Sequence, residues 1–423
     1  MNFRPSPVCA FVALGIAAAL ANPHCVAAAL ASTDWPGWRG PTHDGRAGPG
    51  ENPPVRWSET ENILWKTPVP GRGHSSPTLV GNRVYLATAD FEKQSQRVLC
   101  FDRATGRPIW DAVVHQGNLD QAGHPNTSLA SSTVACDGER LYINFLNGKA
   151  IHTSALDFQG RILWQRRVGD FIPHQGFASS PVVHESLVLV TADHKGGGTI
   201  AGLDRATGEI RWQHSRPKVA NYTSPSVLRA AGRTQLIVAG CGLLSSFDPS
   251  TGAKLWEIEG TTDECVVTAV TDGERVFASG GYPKNHAMAV VADGSGKVAW
   301  KNTARVYVPS MIQDSGYLYA VMDAGVAVCW KSDTGEELWK ERLGGDFFSS
   351  PVRVGDRIYA TSLGGVTSVF AARPDGFKLL AQNQLGNEVF ATPAIGGDRL
   401  YLRVAQKGDS RQEYLYCVGG KVN

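Results

Sequence analysis

The residues of this chain best suited to chemistry are polar side chains in a series of short loops. The first three of these loops each contain a histidine, and the fifth contains the neighbouring carboxylates Asp263 and Glu264. Imidazole and carboxylate groups that converge could hold a divalent metal or hydrogen-bond a sugar-like ligand. The candidate ligand-binding residues are Arg72, His74, His124, His174, Gln175, Asn221, Tyr222, Glu264, Arg305, Tyr307, Asp346 and Glu388. Because loops are polar by default, the alternative for each is a solvated loop residue.

Familiar catalytic signatures are missing from the sequence. It contains no Ser-His-Asp spacing, no H-E-x-x-H motif and no phosphate-cradling glycine-rich loop, and Gly196-Gly197-Gly198 is typical of a hairpin turn. No catalytic residue is therefore assigned. The segment 111–129 is the longest of the polar loops, and we interpret it as a flap over the site.

Tryptophan marks the repeat that must position these loops. Asp and Gly in the segment before each tryptophan provide the hydrogen-bond acceptor and the positive φ of a tight turn, so each tryptophan ends a hairpin. Its large ring is then expected to pack against the neighbouring sheet. The tryptophans with a glycine four residues earlier are Trp110, Trp164, Trp212, Trp256, Trp300 and Trp339.

A second signature, a pair of small residues often followed by proline, precedes these turns in eight copies, as in Ser75-Ser76-Pro77 and Ser349-Ser350-Pro351. Turns with alternating apolar residues lie between the two signatures, and no helical periodicity is convincing. The pattern predicts an all-β fold, an eight-bladed propeller of four-stranded antiparallel blades. The loops from each outer strand to the next inner strand then emerge on one face, so the candidate residues converge around the central channel.

The two ends of the array predict how the ring closes. The last unit stops at Tyr416-Cys417-Val418 without an outer strand, whereas the first unit has a spare one at Ile63-Leu64-Trp65-Lys66. We therefore expect the N-terminal strand to complete the last blade, which removes two open sheet edges. In the seventh unit, Leu380 takes the place of the tryptophan.

The N-terminal residues predict export. Residues 1–31 show Arg4, an apolar run and two A-x-A sites, typical of a signal peptide, and no later segment is apolar enough to span a bilayer. The mature protein is expected to be periplasmic or secreted. Residues 32–61, with Trp35, Trp38 and Trp57, are interpreted as a strap across the propeller of residues 62–423; the alternative is a docking segment for another protein.

Charge and cysteine content limit the partners and cofactors. A formal net charge of +2 argues against nucleic acid as a partner. Six cysteines remain after the leader, and their pairing stays open. No C-x-x-C motif is present to indicate a zinc ribbon or a c-type haem.

The repeats DRATGRPIW (102–110), DRATGEIRW (204–212) and DPSTGAKLW (248–256) resemble the pyrroloquinoline-quinone-like repeat. That family includes the BamB outer-membrane assembly lipoprotein and the quinoprotein alcohol dehydrogenases. The resemblance implies a monomeric, non-enzymatic scaffold of the bacterial envelope that binds a protein or polysaccharide and needs no cofactor. The alternative it implies is an oxidoreductase that depends on pyrroloquinoline quinone with Ca²⁺, or on another metal. The adjacent cysteines common in such dehydrogenases do not occur here.

Overall fold

The computed structural model describes residues 1–2, 30–120, 124 and 127–420, and the predicted signal peptide lies almost entirely outside them. The described residues form 32 strands in eight four-stranded sheets and contain no helix. The chain is an eight-bladed β-propeller, as the repeats predict. Among the described residues, no helix is long and apolar enough to cross a membrane.

In blades 1 to 4 the strands follow chain order from the channel outwards. Blade 1 comprises β2 (Thr78–Val80), β3 (Arg83–Asp90), β4 (Ser95–Asp102) and β5 (Pro108–Gln116). Blade 2 comprises β6 (Ala135–Cys136), β7 (Leu141–Asn147), β8 (Ala150–Leu156) and β9 (Ile162–Asp170). Blade 3 comprises β10 (Val182–His184), β11 (Leu187–Ala192), β12 (Gly198–Asp204) and β13 (Ile210–Arg216). Blade 4 comprises β14 (Ser226–Ala230), β15 (Arg233–Gly240), β16 (Leu243–Phe247) and β17 (Lys254–Glu259).

Blades 5 to 7 repeat this order, and blade 8 departs from it. Blade 5 comprises β18 (Val270–Thr271), β19 (Arg275–Gly280), β20 (His286–Val291) and β21 (Val298–Asn302). Blade 6 comprises β22 (Ile312–Asp314), β23 (Tyr317–Val321), β24 (Val326–Lys331) and β25 (Glu337–Arg342). Blade 7 comprises β26 (Val352–Val354), β27 (Arg357–Thr361), β28 (Val366–Ala371) and β29 (Leu379–Gln384). Blade 8 comprises β30 (Ala394–Ile395), β31 (Arg399–Lys407), β32 (Arg411–Gly419) and, as its outer strand, β1 (Ile63–Val69).

The ring closes through β1, which confirms the predicted role of the spare N-terminal strand. β1 pairs antiparallel with β32, with Trp65 opposite Cys417 and Val69 opposite Glu413. The first and last segments of the propeller are thus joined in one sheet, and the inner strand β2 starts a new blade directly afterwards.

The tryptophan and glycine of the repeat meet between neighbouring blades. A Cβ atom built on Gly106 would lie 2.5 Å from the ring of Trp65, and one on Gly208 would lie 2.5 Å from the ring of Trp164. Both glycines have a φ near +70°, at 73° and 71°, so the turn and the close approach both require glycine. Each indole also donates a hydrogen bond to the next blade, to the carbonyl oxygens of Arg103 (3.2 Å) and Arg205 (3.1 Å) respectively. The repeat is therefore an inter-blade packing device.

The small-residue pairs form a belt of hydrogen bonds around the channel. The hydroxyl of the second residue of a pair accepts a hydrogen bond from the backbone amide of the corresponding residue in the preceding blade. Seven such bonds, of 2.9 to 3.1 Å, join Ser76, Thr133, Ser180, Ser224, Thr268, Ser310, Ser350 and Thr392 around the ring. The hydroxyl of Thr268 accepts a hydrogen bond from the indole nitrogen of Trp38 (2.7 Å). The second position of each pair is therefore a serine or threonine, whose hydroxyl group makes the hydrogen bond between blades.

Residues 30–62 run across the end of the channel where the first and second strands of each blade turn. Trp35 pairs through its backbone with Leu79 of β2, and Trp38 reaches across to blade 5. Arg39, 1% exposed, donates from Nη2 to the carbonyl oxygen of Met311 in blade 6 (2.5 Å). The segment then follows the outside of blades 6 to 8, where Trp57 is buried and stacks on Tyr359 (6.3 Å between ring centroids). These contacts close the channel at this end.

The six cysteines in the described part of the chain are free, buried thiols. Burial raises the pKa of Cys417 to about 11 and the pKa of Cys100 to about 12. These cysteines pack in the apolar interiors of the blades and form no disulfide bonds with one another.

Candidate functional site

A cavity of about 640 Å³ lies on the propeller axis, within the size range of small-molecule sites. Trp38 forms part of its lining at the closed end, and the loops opposite form its walls and mouth. We call the loop side the mouth face: it consists of the loops from outer to inner strands and the loops between the second and third strands of each blade. Of the residues predicted from the sequence, those that line the cavity are His74, His124, Gln175, Tyr222, Arg305, Tyr307 and Asp346.

A buried carboxylate lies near two tyrosines and a histidine beside the cavity. Glu264 is 4% exposed and accepts a hydrogen bond from the Tyr307 hydroxyl (3.2 Å). His174 Nε2 lies 3.6 Å from Glu264 Oε1. The His174 side chain is 40% exposed, so the histidine of this pair contacts solvent whereas the carboxylate is buried. Burial, and then the nearby Glu264 carboxylate, raise the pKa values of both Tyr222 and Tyr307. Both phenols are therefore protonated at neutral pH and act as neutral hydrogen-bonding groups.

His74 forms part of an aromatic stack on the other side of the cavity. Its ring lies on Phe390, with ring centroids 3.9 Å apart and planes 16° from parallel, and Phe390 in turn meets Phe348 edge-on at 5.3 Å. Burial, and then the charge of Arg72, hold the pKa of His74 well below 6.5, so the imidazole is neutral at pH 7. Its Nε2 is buried without a hydrogen-bond partner among the described residues.

Asn221 and Glu388 lie on the predicted loops but make structural contacts. Asn221 is 5% exposed; its side-chain amide donates to Asp193 (3.0 Å), and its oxygen accepts from the Cys265 backbone amide (2.9 Å). Glu388 is paired with Arg411. Both side chains complete networks between loops and do not line the cavity, which contradicts the idea that all predicted residues form one ring.

Arg72, Glu264 and Glu388 occupy one repeated backbone position. Each forms an isolated antiparallel bridge with a residue at the end of the second strand of its blade or just beyond it: Arg72 with Ala89, Glu264 with Tyr282, and Glu388 with Ala405. This pairing holds the loop against its own blade. This backbone pairing is consistent with the finding that Arg72, Glu264 and Glu388 do not line the cavity.

The predicted flap is shorter than the sequence suggested. The outer strand β5 extends to Gln116, so the first part of segment 111–129 belongs to a strand. His115 is 9% exposed and packs edge-on against Phe145 (6.0 Å) and His152 (5.1 Å). Burial lowers the pKa of His115 to about 4, and the residue is a neutral part of the blade interior.

Sequence reasoning missed two kinds of lining residue. Asp323 lies between β23 and β24, in a loop of the second kind on the mouth face, and it lines the cavity with Ala324. Phe347 and Phe348 follow the predicted Asp346 directly and both border the cavity, Phe347 with its side chain buried in the core (1% exposed). The signal for Asp323 was available, since a turn between the second and third strands of a blade emerges on the same face as the loops that were considered.

The comparisons with known proteins agree on the fold. A family model described as outer membrane protein assembly factor BamB matches residues 50–171, 94–341 and 284–411, which together cover most of the chain. The protein is thus an eight-bladed β-propeller of pyrroloquinoline-quinone-like repeats, and it belongs to the BamB-like family of such proteins. No curated protein matches it by sequence.

Solved structures similar to this chain include proteins of different function. BamB from Moraxella catarrhalis matches with a TM-score of 0.58 and 16% identity, over 84% of this chain and 96% of that one. Quinohemoprotein alcohol dehydrogenase ADHIIG from Pseudomonas putida HK5 matches with a TM-score of 0.67 and 12% identity, over 93% and 81%. A europium-containing methanol dehydrogenase matches with a TM-score of 0.65 and 12% identity, over 92% and 98%. At these identities the likeness establishes the fold alone.

The described residues do not bring a cluster of metal-ligating side chains together. Within the part of the chain that the structure describes, no three His, Cys, Asp or Glu side chains are close enough together to hold a metal ion. The three loop histidines therefore do not form the metal site considered from the sequence.

Proposed function

We propose that this protein is an exported, monomeric binding protein of the bacterial envelope that docks its partner on the mouth face of the propeller. It needs no cofactor and catalyses no reaction. The observation that carries the proposal is a cavity that is closed at one end by residues 35–39 and opens among loops at the other. Such a site can receive a group that projects from a docked partner.

Apolar side chains around the mouth support docking there. Phe91, Ile172 and Tyr282 are 41%, 57% and 56% exposed, and all three lie on loops of the mouth face. They come from blades 1 and 5 and from the loop leading into blade 3, so they lie along one half of the mouth face. Exposed aromatic and aliphatic residues near a concave centre are typical of the anchors of protein interfaces. Family membership is consistent with a protein partner, since the matching family is described as an assembly factor.

The proposal is tested by mutating the mouth face and the outer wall of the propeller in parallel. The double variant Ile172→Ser/Tyr282→Ser changes two mouth residues, and Leu163→Ser/Val298→Ser changes two outer-strand residues of similar exposure, 48% and 43%. Purified variants are used to capture cross-linked partners from an envelope fraction of the source cells. We expect the mouth variant to lose the partner that the wild type and the outer-wall variant retain. Equal capture by both double variants would refute docking at the mouth face.

The oxidoreductase alternative is tested with the same preparation. We expect no dye reduction with alcohols or sugars after incubation with pyrroloquinoline quinone and Ca²⁺. Micromolar binding of the quinone together with substrate-dependent dye reduction would replace the binding role with an enzymatic one.

A further inference from the structure

The wall of the axial cavity contains a carboxylate that lacks a cationic partner. Asp323 accepts hydrogen bonds from the backbone amides of Tyr307 (2.8 Å, to Oδ2) and Val308 (3.2 Å, to Oδ1). None of the salt bridges found among the described residues involves Asp323; burial raises the pKa of this carboxyl, and the charge of Arg305 acts in the opposite direction. Arg305 donates instead to the carbonyl oxygen of Gly281 (2.9 Å). A partly desolvated carboxylate of this kind favours a cation brought by a ligand.

Aromatic residues line the same cavity as this carboxylate. The backbone amide of Phe347 donates to the Asp323 carbonyl oxygen (2.8 Å), but the Phe347 side chain is 1% exposed and packs in the core. The next residue, Phe348, lines the cavity together with Phe390, and the two rings meet edge-on. The face of an aromatic ring attracts an ammonium or guanidinium group by about 0.5–2 kcal/mol, most strongly where water is excluded. A cavity that combines a carboxylate with aromatic rings therefore suits an organic cation.

The charge balance of the lining also favours a cation. Asp346 adds a second carboxylate at the exposed rim, whereas His74 is neutral at pH 7. Arg305 also lines the cavity, and its guanidinium lies over the Tyr307 ring at 5.2 Å from the centroid. An anionic ligand would be repelled by the carboxylates of Asp323 and Asp346. A cationic ligand would be repelled by Arg305, whose guanidinium already donates to the Gly281 carbonyl oxygen.

We propose that the axial cavity binds an ammonium or guanidinium group, with Asp323 as its counter-ion and the Phe348 and Phe390 rings as part of its walls. This inference deepens the proposed function, on which it rests for the location of the site. The cation can come from a free small amine or from a Lys or Arg side chain of a docked protein, and these sources share the chemistry of recognition.

The test is calorimetric titration of the full mature protein with four probes. Cadaverine and agmatine represent free cations, Nα-acetyl-lysine methylamide represents a side chain, and Nα-acetyl-norleucine methylamide is its neutral control. We expect the lysine derivative to bind at least about tenfold more tightly than the norleucine derivative, because a charge-assisted hydrogen bond and a cation–π contact are lost in the latter. Tighter binding of cadaverine than of the lysine derivative assigns the site to free amines, and the reverse assigns it to side chains.

Variants connect binding to the named residues. Asp323→Asn is expected to weaken binding of the best cationic probe about tenfold or more, and Phe348→Leu about threefold to tenfold. The matched control is Asp356→Asn, which removes the same charge from a side chain that is 93% exposed in the β26–β27 turn, away from the mouth face. Because the Asp323 carboxylate also holds two backbone amides, Phe348→Leu serves as a second variant that leaves those bonds in place.

Each outcome separates the inference from the proposed function. Equal affinity for the lysine and norleucine derivatives, no binding at millimolar concentration, or unchanged affinity in both Asp323→Asn and Phe348→Leu would overturn the cation site. Partner capture lost in the mouth double variant would leave docking intact in that case. Conversely, cation binding without any dependence of partner capture on mouth residues would keep the site and refute the docking role.

Discussion

The buried ion pair at the closure of the propeller gives a prediction that can be worked out in detail. Arg403 of β31 and Glu413 of β32 are each 2% exposed, with Nε and Oε2 2.6 Å apart. Arg403 Nη1 also donates to the carbonyl oxygen of Ala87 in blade 1 (2.6 Å). The pair thus lies where the last blade meets the first, next to the strand β1 that closes the ring.

Glu413→Gln keeps the size of the side chain and removes its charge. The buried Arg403 guanidinium then loses its counter-ion while Arg411 remains close by. Removing one partner of a buried pair costs about 3–5 kcal/mol, because the remaining charge stays desolvated. With an unfolding entropy of about 2.1 cal/mol/K per residue, a propeller of this size loses about 4–6 °C in Tm.

Thermal unfolding followed by circular dichroism and tryptophan fluorescence measures the effect. The matched control is Asp170→Asn, which breaks the exposed Arg167–Asp170 pair, whose side chains are 53% and 82% exposed. Exposed pairs contribute about 0–1 kcal/mol, so the control should change Tm by about 1 °C or less. A second substitution, Arg403→Met in the Glu413→Gln background, should recover part of the loss because it removes the uncompensated charge.

The reasoning is refuted if Glu413→Gln and Asp170→Asn lower Tm equally. It is also refuted if adding Arg403→Met to Glu413→Gln lowers Tm further by the full cost of a second independent site. Either result would mean that the pair does not contribute through its buried charge.

Two further predictions concern the floor of the cavity and the turns. Trp38→Ala removes the indole that donates to Thr268 and should lower the unfolding free energy by about 2 kcal/mol, measured by urea denaturation. In the titrations with cationic probes, Trp57→Ala, at a buried site remote from the axis, should leave the affinity unchanged. The Thr251 backbone amide donates a hydrogen bond that lowers the pKa of the Asp248 carboxyl in the folded protein. The Asp248 carboxylate therefore stabilises the fold at pH values above the unfolded pKa of about 3.9, and this stabilisation is lost as the pH falls through the lowered folded pKa. Asp248→Asn should therefore be less stable than the wild type at pH 7 and should approach it at pH 3; a constant difference would contradict this.

Local signals in the sequence were sufficient for the architecture because each acts between adjacent residues or adjacent blades. The Gly-x-x-x-Trp spacing specifies a turn and a ring at a fixed separation, and in the structure Gly106 and Trp65 meet across a blade boundary. The small-residue pairs predicted eight inner strands, and their hydroxyls form the belt around the channel. The spare strand at Trp65 predicted closure without any knowledge of distances.

The candidate site was predicted only in part, because loop position does not decide side-chain direction. His74, Tyr222 and Tyr307 line the cavity as expected, whereas Asn221 turns into a hydrogen-bond network with Asp193. The histidines of the first three loops were considered as metal ligands. In the structure, His74 stacks on Phe390, whose loop lies some 300 residues further along the chain.

What the sequence determined by itself was the repeat, its strand count and the face on which the loops emerge, since these depend on turn chemistry and alternation within about 45 residues. Only the tertiary structure decided that residues 35–39 close one end of the channel and that Asp323 and Phe348 both line the cavity. Those contacts join segments from distant blades, and side-chain direction there is set by packing around the axis, which no local pattern records.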